Sequence, residues 1–280
     1  MIYMDEIKLP IEGKLPTRWE IYYYTFMGNI YYWFKILRGN RNTKNKTVNK
    51  KVEIDVIRDI PGADVAKNNE IMNYLFENDL NIKIIDSAKN GAPLIKLGDG
   101  SKPRVMITSG VHGNELPPQI AALKLINELD KTNIDGTVYI IPFICPIASA
   151  GNSKLFEGEN LNLVADKPGS PTNNVLNLTQ ELKITSLADF HATSTHPAKD
   201  SVIYFLSVAS SRIAVYVNKK ANSELMAHIY NPGTLIAACN TRQIPTILCE
   251  VESPDGAASN ESIEVSLNQM KAFLEYHQII

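Results

Sequence analysis

The chain has 280 residues, of which 44% are apolar and 21% are charged, a balance typical of a folded globular protein with one large domain or two small ones. This composition excludes a disordered, collagen-like or disulfide-stapled chain. With 28 basic and 30 acidic side chains, the net charge of -2 provides no overall attraction to nucleic acid, so we expect no nucleic-acid partner.

The cysteines and the N-terminal residues bear on the cellular location. Cys145, Cys239 and Cys249 are odd in number and far apart, which favours free thiols in a reducing compartment. The first residues carry charges and a proline where a secretory signal needs an apolar core, and no run of about 18 residues is free of polar side chains. We therefore predict a cytoplasmic protein without a membrane-spanning segment.

The first part of the chain differs in composition from the rest, and we predict that residues 1–50 form an N-terminal extension. Nine aromatic side chains lie between positions 19 and 34. Thr17 and Glu20 have the spacing of a helix-capping box and Gly39 ends the pattern, which predicts a helix over residues 18–38. A glycine followed by an asparagine at its midpoint leaves a β-hairpin as the alternative.

A basic segment, residues 35–51, follows the aromatic run and contains seven basic side chains and no acidic one. Aromatic rings favour the headgroup zone of a bilayer and basic side chains favour its anionic surface. One interpretation is therefore a weak membrane-surface contact through residues 19–51, with the protein peripheral at the membrane. The other is a packing element or subunit contact followed by a solvated linker.

From residue 51 onward, short β-branched runs alternate with helical stretches, which predicts one catalytic domain over residues 51–280. The predicted strands cover residues 52–57, 81–85, 93–97, 105–108, 137–144, 186–190, 201–206 and 245–251. The predicted helices cover residues 64–77, 115–129, 172–184, 211–222 and 260–276. Strands separated by helices indicate an α/β fold with a largely parallel or mixed central sheet and helices on both faces. The polar residues 157–174 are expected to form one long functional loop.

Two motifs place a histidine at the end of an apolar strand. The motif Val-His-Gly-Asn-Glu brings His112 and Glu115 three positions apart, a spacing that can turn a nitrogen and a carboxylate toward one point. In the motif Ala-Asp-Phe-His, Asp189 and His191 project to the same side of an extended chain, so the carboxylate can orient the imidazole. Taken alone, a histidine such as His112 is more often a loop residue, one such as His191 is more often an interior residue, and a glutamate such as Glu250 more often reaches solvent at a strand end.

A carboxylate at the end of a third apolar run completes the set. Glu250 ends the run Thr-Ile-Leu-Cys-Glu, where a charge is costly unless it meets a metal, a base or water. Glu252 is the alternative, and Cys249 is expected to face the core from the opposite side of the strand. Because ligands bind at the carboxyl ends of the strands in open α/β sheets, we expect these side chains to converge there.

Such a convergence indicates a hydrolytic metal site. Two imidazoles and one carboxylate form a ligand set of catalytic zinc that leaves a position for water, and a further glutamate can take the proton of that water. We therefore expect one Zn²⁺ per chain. A non-functional explanation would require three independent coincidences on one sheet edge.

The sequence also resembles a known family. Residues 107–115 (Ile-Thr-Ser-Gly-Val-His-Gly-Asn-Glu), residues 119–129 and the Asp-Phe-His motif are similar to the zinc carboxypeptidase superfamily, in its succinylglutamate desuccinylase and aspartoacylase branch. The similarity extends with gaps from about residue 105 to the C-terminus. The resemblance implies a zinc-carboxypeptidase-like fold, three zinc ligands and a general base, namely His112, Glu115, His191 and Glu250.

The sequence departs from this branch where the family carries two arginines. The segment similar to the family's Asp-Leu-Asn-Arg reads Asn-Leu-Asn-Leu over residues 160–163, and the earlier segment reads Gly-Asn-Ser-Lys. A guanidinium binds a carboxylate through two parallel hydrogen bonds. Because both arginines are missing, we expect a substrate without the free carboxylate that the branch recognises. Asn162 and Lys154 remain as candidate substrate-binding residues, with Lys167 as an alternative point charge. The chain ends 30 residues after Glu250, without the family's β-rich C-terminal domain, which predicts a more open cleft.

These observations predict a zinc-dependent hydrolase that cleaves an amide bond in a small-molecule or peptide substrate, as an N-deacylase or a peptidase. The loss of the two arginines favours one alternative, a non-catalytic metal-retaining binding module of the same fold. The N-terminal extension alone suggests another, a membrane-surface enzyme acting on a cell-envelope polymer. Composition and motifs leave the oligomeric state open.

Overall fold

The computed structural model describes residues 14–38, 52–75, 78–195 and 200–280, which form nine α-helices and eight β-strands. The helices are α1 (Arg18–Arg38), α2 (Asn69–Tyr74), α3 (Asp79–Ser87), α4 (Leu116–Asp130), α5 (Pro146–Ala150), α6 (Pro171–Glu181), α7 (Val208–Ala221), α8 (Leu235–Thr241) and α9 (Asn260–Tyr276). The strands are β1 (Glu53–Ile57), β2 (Ala92–Gly98), β3 (Arg104–Ser109), β4 (Thr137–Ile141), β5 (Ser186–Thr193), β6 (Ser201–Tyr204), β7 (Glu224–Ala227) and β8 (Thr246–Glu252).

All eight strands lie in one mixed sheet, in the order β1-β2-β4-β3-β5-β8-β6-β7. The central strands β4, β3, β5 and β8 run parallel to one another. Antiparallel pairs join β1 to β2, β2 to β4 and β6 to β8, whereas β6 and β7 are parallel. The predicted α/β class with a mixed sheet is therefore confirmed.

Two buried clusters flank the sheet and explain why its central strands are apolar throughout. One cluster contains side chains of α3, α4, α7 and α9, and the other contains side chains of α5, α6 and α8. A parallel strand covered on both faces carries no polar side, which is why β4 and nearly all of β5 are buried. The carboxyl ends of β3, β5 and β8 consequently lie side by side at one edge.

Helix α1 has the predicted bounds, and the hairpin alternative is wrong. The close approach of α1 to α7 depends on Gly28, because a Cβ atom at that position would lie 2.6 Å from Val215 Cγ2 and 2.8 Å from the Ser211 carbonyl oxygen. The Thr25 hydroxyl also lies 3.1 Å from the Tyr204 hydroxyl.

Most of the basic segment, residues 39–51, lies outside the described residues. No helix among the described residues is long and apolar enough to cross a membrane.

Two of the predicted elements differ from the structure in type, and the strands predicted over residues 137–144 and 201–206 end at Ile141 and Tyr204. Residues 81–85, predicted as a strand, lie within helix α3. The predicted helix over residues 64–77 is instead a 3-10 turn at Val65–Lys67 followed by the short α2, and residues 76–77 lie outside the described part. The predicted functional loop contains a 3-10 turn at Leu161–Leu163 and the first turn of α6. Strand β7 and helices α5 and α8 were not predicted.

Candidate metal centre and catalytic site

The loop between β3 and α4 presents His112 and Glu115 at the carboxyl end of β3. Gly113 permits this loop to cross α5, because a Cβ atom there would lie 1.9 Å from the Ala148 carbonyl carbon. Backbone in that position cannot move aside as a flexible side chain could. The glycine between the two candidate ligands is therefore required by packing.

Gln119 of helix α4 holds the same loop through hydrogen bonds to its carbonyl groups, a role that the sequence analysis did not assign. Its fully buried side-chain amide donates to the carbonyl oxygens of Glu115 at 2.8 Å and Gly113 at 3.1 Å, with a longer contact to His112 at 3.4 Å. Such bonds satisfy carbonyl groups that a tight loop would otherwise leave unpaired. Gln119 follows Glu115 by four residues, but nothing in the sequence indicates which carbonyl groups of the loop its amide meets.

Strand β5 positions His191 and Asp189, both almost completely buried. The structure places His191 Nδ1 2.9 Å from Glu115 Oε2 and His191 Nε2 3.0 Å from Asp189 Oδ2. Asp189 is held in turn by the Thr108 hydroxyl, which donates to Oδ1 at 2.7 Å. Asp189 therefore accepts from His191 Nε2, and this orients the ring so that Nδ1 is directed at Glu115.

His112 has the same arrangement with a different support. Its Nδ1 lies 2.6 Å from Glu115 Oε1, and its Nε2 lies 2.7 Å from Asn160 Oδ1. The Asn160 oxygen also accepts from the backbone N–H of Asn162 at 3.0 Å, so its amide is oriented with the oxygen toward the ring. Sequence reasoning missed Asn160 as a supporting residue, because its partner is set by the loop fold.

The three side chains form a donor set that fits a divalent metal ion. Their ligand atoms all lie within 4.8 Å of one another, and the two imidazole rings are 5.4 Å apart, centroid to centroid. Because Asn160 Oδ1 and Asp189 Oδ2 can accept from the Nε2–H groups, both imidazoles would offer the lone pair of Nδ1 to an ion held beside Glu115. Two imidazole nitrogens and a carboxylate match the ligand types that zinc prefers.

The charges around the site also favour a cation. Burial opposes a charge on Glu115, yet the positive charge of His191 and hydrogen bonds from both imidazoles outweigh it and lower the pKa of Glu115 to about 2. Burial likewise opposes a charged His191, but the carboxylates of Asp189 and Glu115 raise its pKa well above the usual value. Two buried carboxylates thus stabilise positive charge at this point.

Glu250 lies on β8 directly opposite His191 in the β5–β8 pairing. Its Oε2 atom is buried and has no hydrogen-bond partner among the described residues. Burial, with the nearby carboxylates of Glu115 and Asp189, raises the pKa of Glu250 to about 8 against the opposing charges of His191 and Lys154. A carboxyl group with this pKa can exchange a proton near neutral pH.

The neighbours of Glu250 on the strand are placed differently. Glu252 is exposed and pairs in register with Thr193, one step beyond the ligand group. Cys249 is fully buried in the core, and burial raises the pKa of its thiol well above the usual range. The structure therefore brings only Glu250 of these three side chains toward His191.

The candidate substrate-binding residues lie in the loops over the site. Asn162 follows Asn160 in the 3-10 turn, and its Oδ1 atom is buried without a hydrogen-bond partner among the described residues. Lys154 is exposed, and its charge acts on the Glu250 carboxyl. Lys167, the alternative point charge, lies 2.6 Å from Glu159 in an ion pair, and Leu163 is half exposed.

Comparison with known proteins agrees with the resemblance seen in the sequence. Residues 101–203 match the family model of the succinylglutamate desuccinylase/aspartoacylase catalytic domain, and the predicted resemblance is confirmed. This match covers a little more than a third of the chain and includes the candidate metal ligands. It ends before β8, so Glu250 lies outside it. No curated protein matches the sequence significantly.

Solved structures show the fold. An aspartoacylase family protein from Mesorhizobium loti has a TM-score of 0.58 at 18% identity over 85% of this chain and 70% of its own. The succinylglutamate desuccinylase from Chromobacterium violaceum has a TM-score of 0.55 at 14% identity over 66% of this chain and 64% of its own. A metallo-carboxypeptidase from Burkholderia cenocepacia has a TM-score of 0.52 at 14% identity over 66% and 60%. The chain thus spans 60% to 70% of the length of these proteins.

Proposed function

We propose, from the match of residues 101–203 to the desuccinylase/aspartoacylase catalytic domain, that this protein is a zinc-dependent hydrolase that cleaves an amide bond. The buried group of His112, Glu115 and His191 at the carboxyl edge of the sheet carries the proposal. In this assignment these three side chains hold one Zn²⁺, and Glu250 is the general base. The family and the fold support a hydrolase of deacylase or metallopeptidase type.

The residues of the chain divide the chemistry as follows. When bound, the ion would polarise both a water molecule and the scissile carbonyl group as a Lewis acid. Glu250 takes the proton of the attacking water and later delivers it to the leaving amine, a role for which its buried carboxylate beside His191 is placed. Asp189 and Asn160 hold the two imidazoles with Nδ1 directed inward.

Substrate recognition is proposed to rest on the loop over the site. Asn162 offers an amide whose oxygen has no other described partner, and Lys154 offers a mobile point charge near Glu250. Residues 146–163 contain no arginine, and Leu163 occupies an exposed position in the turn. A substrate held there lacks a two-pronged carboxylate grip, so we propose a small-molecule or peptide amide without a terminal carboxylate at this position.

Metal content and turnover of matched variants test the proposal. Purified protein should contain about one equivalent of zinc per chain. Glu250→Gln should keep the metal and lose activity by at least about 100-fold, because it removes the proton acceptor. Glu252→Gln makes the same change at a nearby glutamate of the same strand and should retain both the metal and the activity. His191→Ala should lose both the metal and the activity.

Two results would contradict these roles. A metal content below about a tenth of an equivalent in protein prepared without chelators would refute the assignment of a metal site. Undiminished turnover by the Glu250→Gln variant would place the base elsewhere.

The missing arginines favour a second candidate, a metal-retaining binding module without catalysis. A library of acyl-amino acids and peptides separates the two functions: hydrolysis of any amide supports the enzyme, and tight binding without cleavage supports the module. In either case a reducing compartment such as the cytoplasm is proposed, because all three cysteines are buried and unpaired.

A further inference from the structure

Helix α1 carries a large apolar surface that nothing in the described part of the chain covers. We call this surface the outer face of α1. Its members are Trp19, Tyr22, Phe26, Ile30, Trp33 and Phe34, with exposed fractions between 37% and 81%. A contiguous apolar surface of this kind on a globular protein marks an interaction site.

The outer face cannot turn inward, because the opposite side of α1 is already packed. Gly28 is buried against Val215 and Ser211 of α7 at distances that leave no room for a Cβ atom. Tyr31 and Tyr32 interact with α7 through cation-π contacts, with Arg212 4.9 Å from the first ring and Lys219 4.9 Å from the second. One side of α1 thus packs against α7, and the other side is exposed among the described residues.

Basic side chains lie at both ends of this surface, since Arg18 begins the helix. Lys219 also lies 5.9 Å from the Trp33 ring, and Arg38 ends the helix. In the sequence, residues 39–51, which follow the helix, contain five basic residues and no acidic one, although the whole chain has a net charge of -2. Basic side chains of α1 and α7 therefore adjoin the outer face, and the sequence that follows the helix is also basic.

We propose that the outer face of α1 docks the protein on an anionic membrane surface. Tryptophan and tyrosine side chains are enriched at the bilayer interface, and lysines and arginines near it are attracted to anionic headgroups. A second copy of the chain would bring the same excess of positive charge to the contact, whereas an anionic bilayer supplies the opposite charge. Charge complementarity therefore selects the membrane.

This docking leaves the candidate active site open to water. Helix α1 contacts Tyr204, which pairs in register with Ile247 near the start of β8, while Glu250 lies near the end of that strand. Lys35 donates to the carbonyl oxygen of Tyr276 at the end of α9, again on the side away from the site. The membrane-bound protein would accordingly act on substrates that reach it from solution.

The two tryptophans provide a direct test, because Trp19 and Trp33 are the only ones in the chain and both lie on the outer face. Tryptophan emission of the full chain is recorded with vesicles of phosphatidylcholine and with vesicles that also contain phosphatidylglycerol, alongside sedimentation. Anionic vesicles should shift the emission to the blue and bind at least about tenfold more protein than neutral ones, with binding reduced by salt.

Matched variants separate the two contributions. Phe26→Ser with Phe34→Ser should reduce binding at least about tenfold, whereas Ile82→Ser with Ile229→Ser, exposed isoleucines elsewhere, should leave it unchanged. Arg18→Gln with Arg38→Gln, at the two ends of α1, should reduce the preference for anionic vesicles severalfold, since each charge contributes up to about fivefold. Metal content and circular dichroism should stay unchanged in all three.

Three results would overturn the proposal. The first is no partition onto anionic vesicles, and the second is equal partition onto neutral ones. The third is an emission shift that depends on protein concentration without vesicles, together with a dimer in light scattering. That result would make the outer face an interface between two copies.

Discussion

His112 and His191 hold equivalent positions about Glu115, but chemically different groups support them. His191 Nε2 meets the carboxylate of Asp189, whereas His112 Nε2 meets the neutral amide oxygen of Asn160. A carboxylate fixes the tautomer of an imidazole and also raises its basicity, while an amide oxygen only fixes the tautomer. The two candidate ligands should therefore differ in how strongly they hold a metal.

Substitution of Asn160 tests this difference. Asn160→Leu removes the acceptor for His112 Nε2–H and should weaken zinc affinity by about 10- to 100-fold. Asn160→Asp restores an acceptor with a negative charge and should bind zinc at least as tightly as the unmodified protein. Competition with a fluorescent zinc chelator measures both.

Asn162→Leu is the matched control, because the backbone N–H of Asn162 still donates to Asn160 while its side chain is removed. Zinc affinity should stay the same in this variant, and KM should rise if the side chain binds substrate. Equal zinc affinity in the Asn160→Leu variant and the control would refute the supporting role of Asn160.

The candidate ligands and base can be predicted from the sequence, whereas the residues that support them cannot. His112, His191 and Glu250 could be singled out because each follows an apolar run, and the parallel sheet brings the ends of such runs together. Asn160 and Gln119 could not, because the acceptor or donor that each one meets depends on the path of a loop. Polar residues of loops have no periodicity that indicates their partners.

At the scale of elements, helix α3 shows how local composition misleads. Residues 81–85 contain three isoleucines, which favour a strand, but the buried positions Asn81, Ile84 and Ile85 have helical spacing. Asn78 provides the decisive signal at the start, since its side-chain oxygen accepts from the Asn81 N–H at 2.8 Å. The helices with the clearest capping patterns, α1 and α9, were predicted with their observed bounds.

The cap of α3 should be measurable in the free energy of unfolding. Asn78→Ala removes the acceptor for the Asn81 N–H and should destabilise the protein by about 1 kcal/mol. Asn78→Ser keeps a capping oxygen but loses the bond from Asn78 Nδ2 to Asn127 Oδ1, 2.8 Å long, and should cost less. Urea unfolding of both variants gives the comparison, and an alanine variant as stable as the serine variant would contradict the capping role.

At the scale of the whole molecule, the class of the fold followed from the alternation of strands and helices, but its strand order did not. The sheet becomes mixed because β6 enters antiparallel to β8 and β1 and β2 add an antiparallel edge. Such pairings join segments distant in the chain, and β7 is a short, partly exposed strand with little apolar pattern. Local periodicity carries no information about which strands become neighbours.

Two buried histidines remote from the metal centre link the stability of the molecule to pH. Burial lowers the pKa of His228 to about 4, and burial together with the charge of Lys35 lowers the pKa of His277 to about 3. In the unfolded chain both imidazoles take up a proton near pH 6.5. The unfolded state therefore binds more protons below that pH, and stability falls as the pH decreases from 6.5 toward the folded-state values.

His277→Phe tests this linkage, because a phenyl ring retains the packing against Phe273 and Tyr276, whose centroids lie 4.9 and 4.8 Å from the imidazole. Between pH 6.5 and 5 the variant should gain about 2 kcal/mol of stability relative to the unmodified protein, from about 1.4 kcal/mol per pH unit. Urea unfolding at both pH values measures the gain. Tyr74→Phe, which removes a hydrogen bond to the Ala258 carbonyl oxygen and no imidazole, should show the same offset at both. A constant offset for His277→Phe as well would mean that His277 takes up its proton as readily in the folded state as in the unfolded chain.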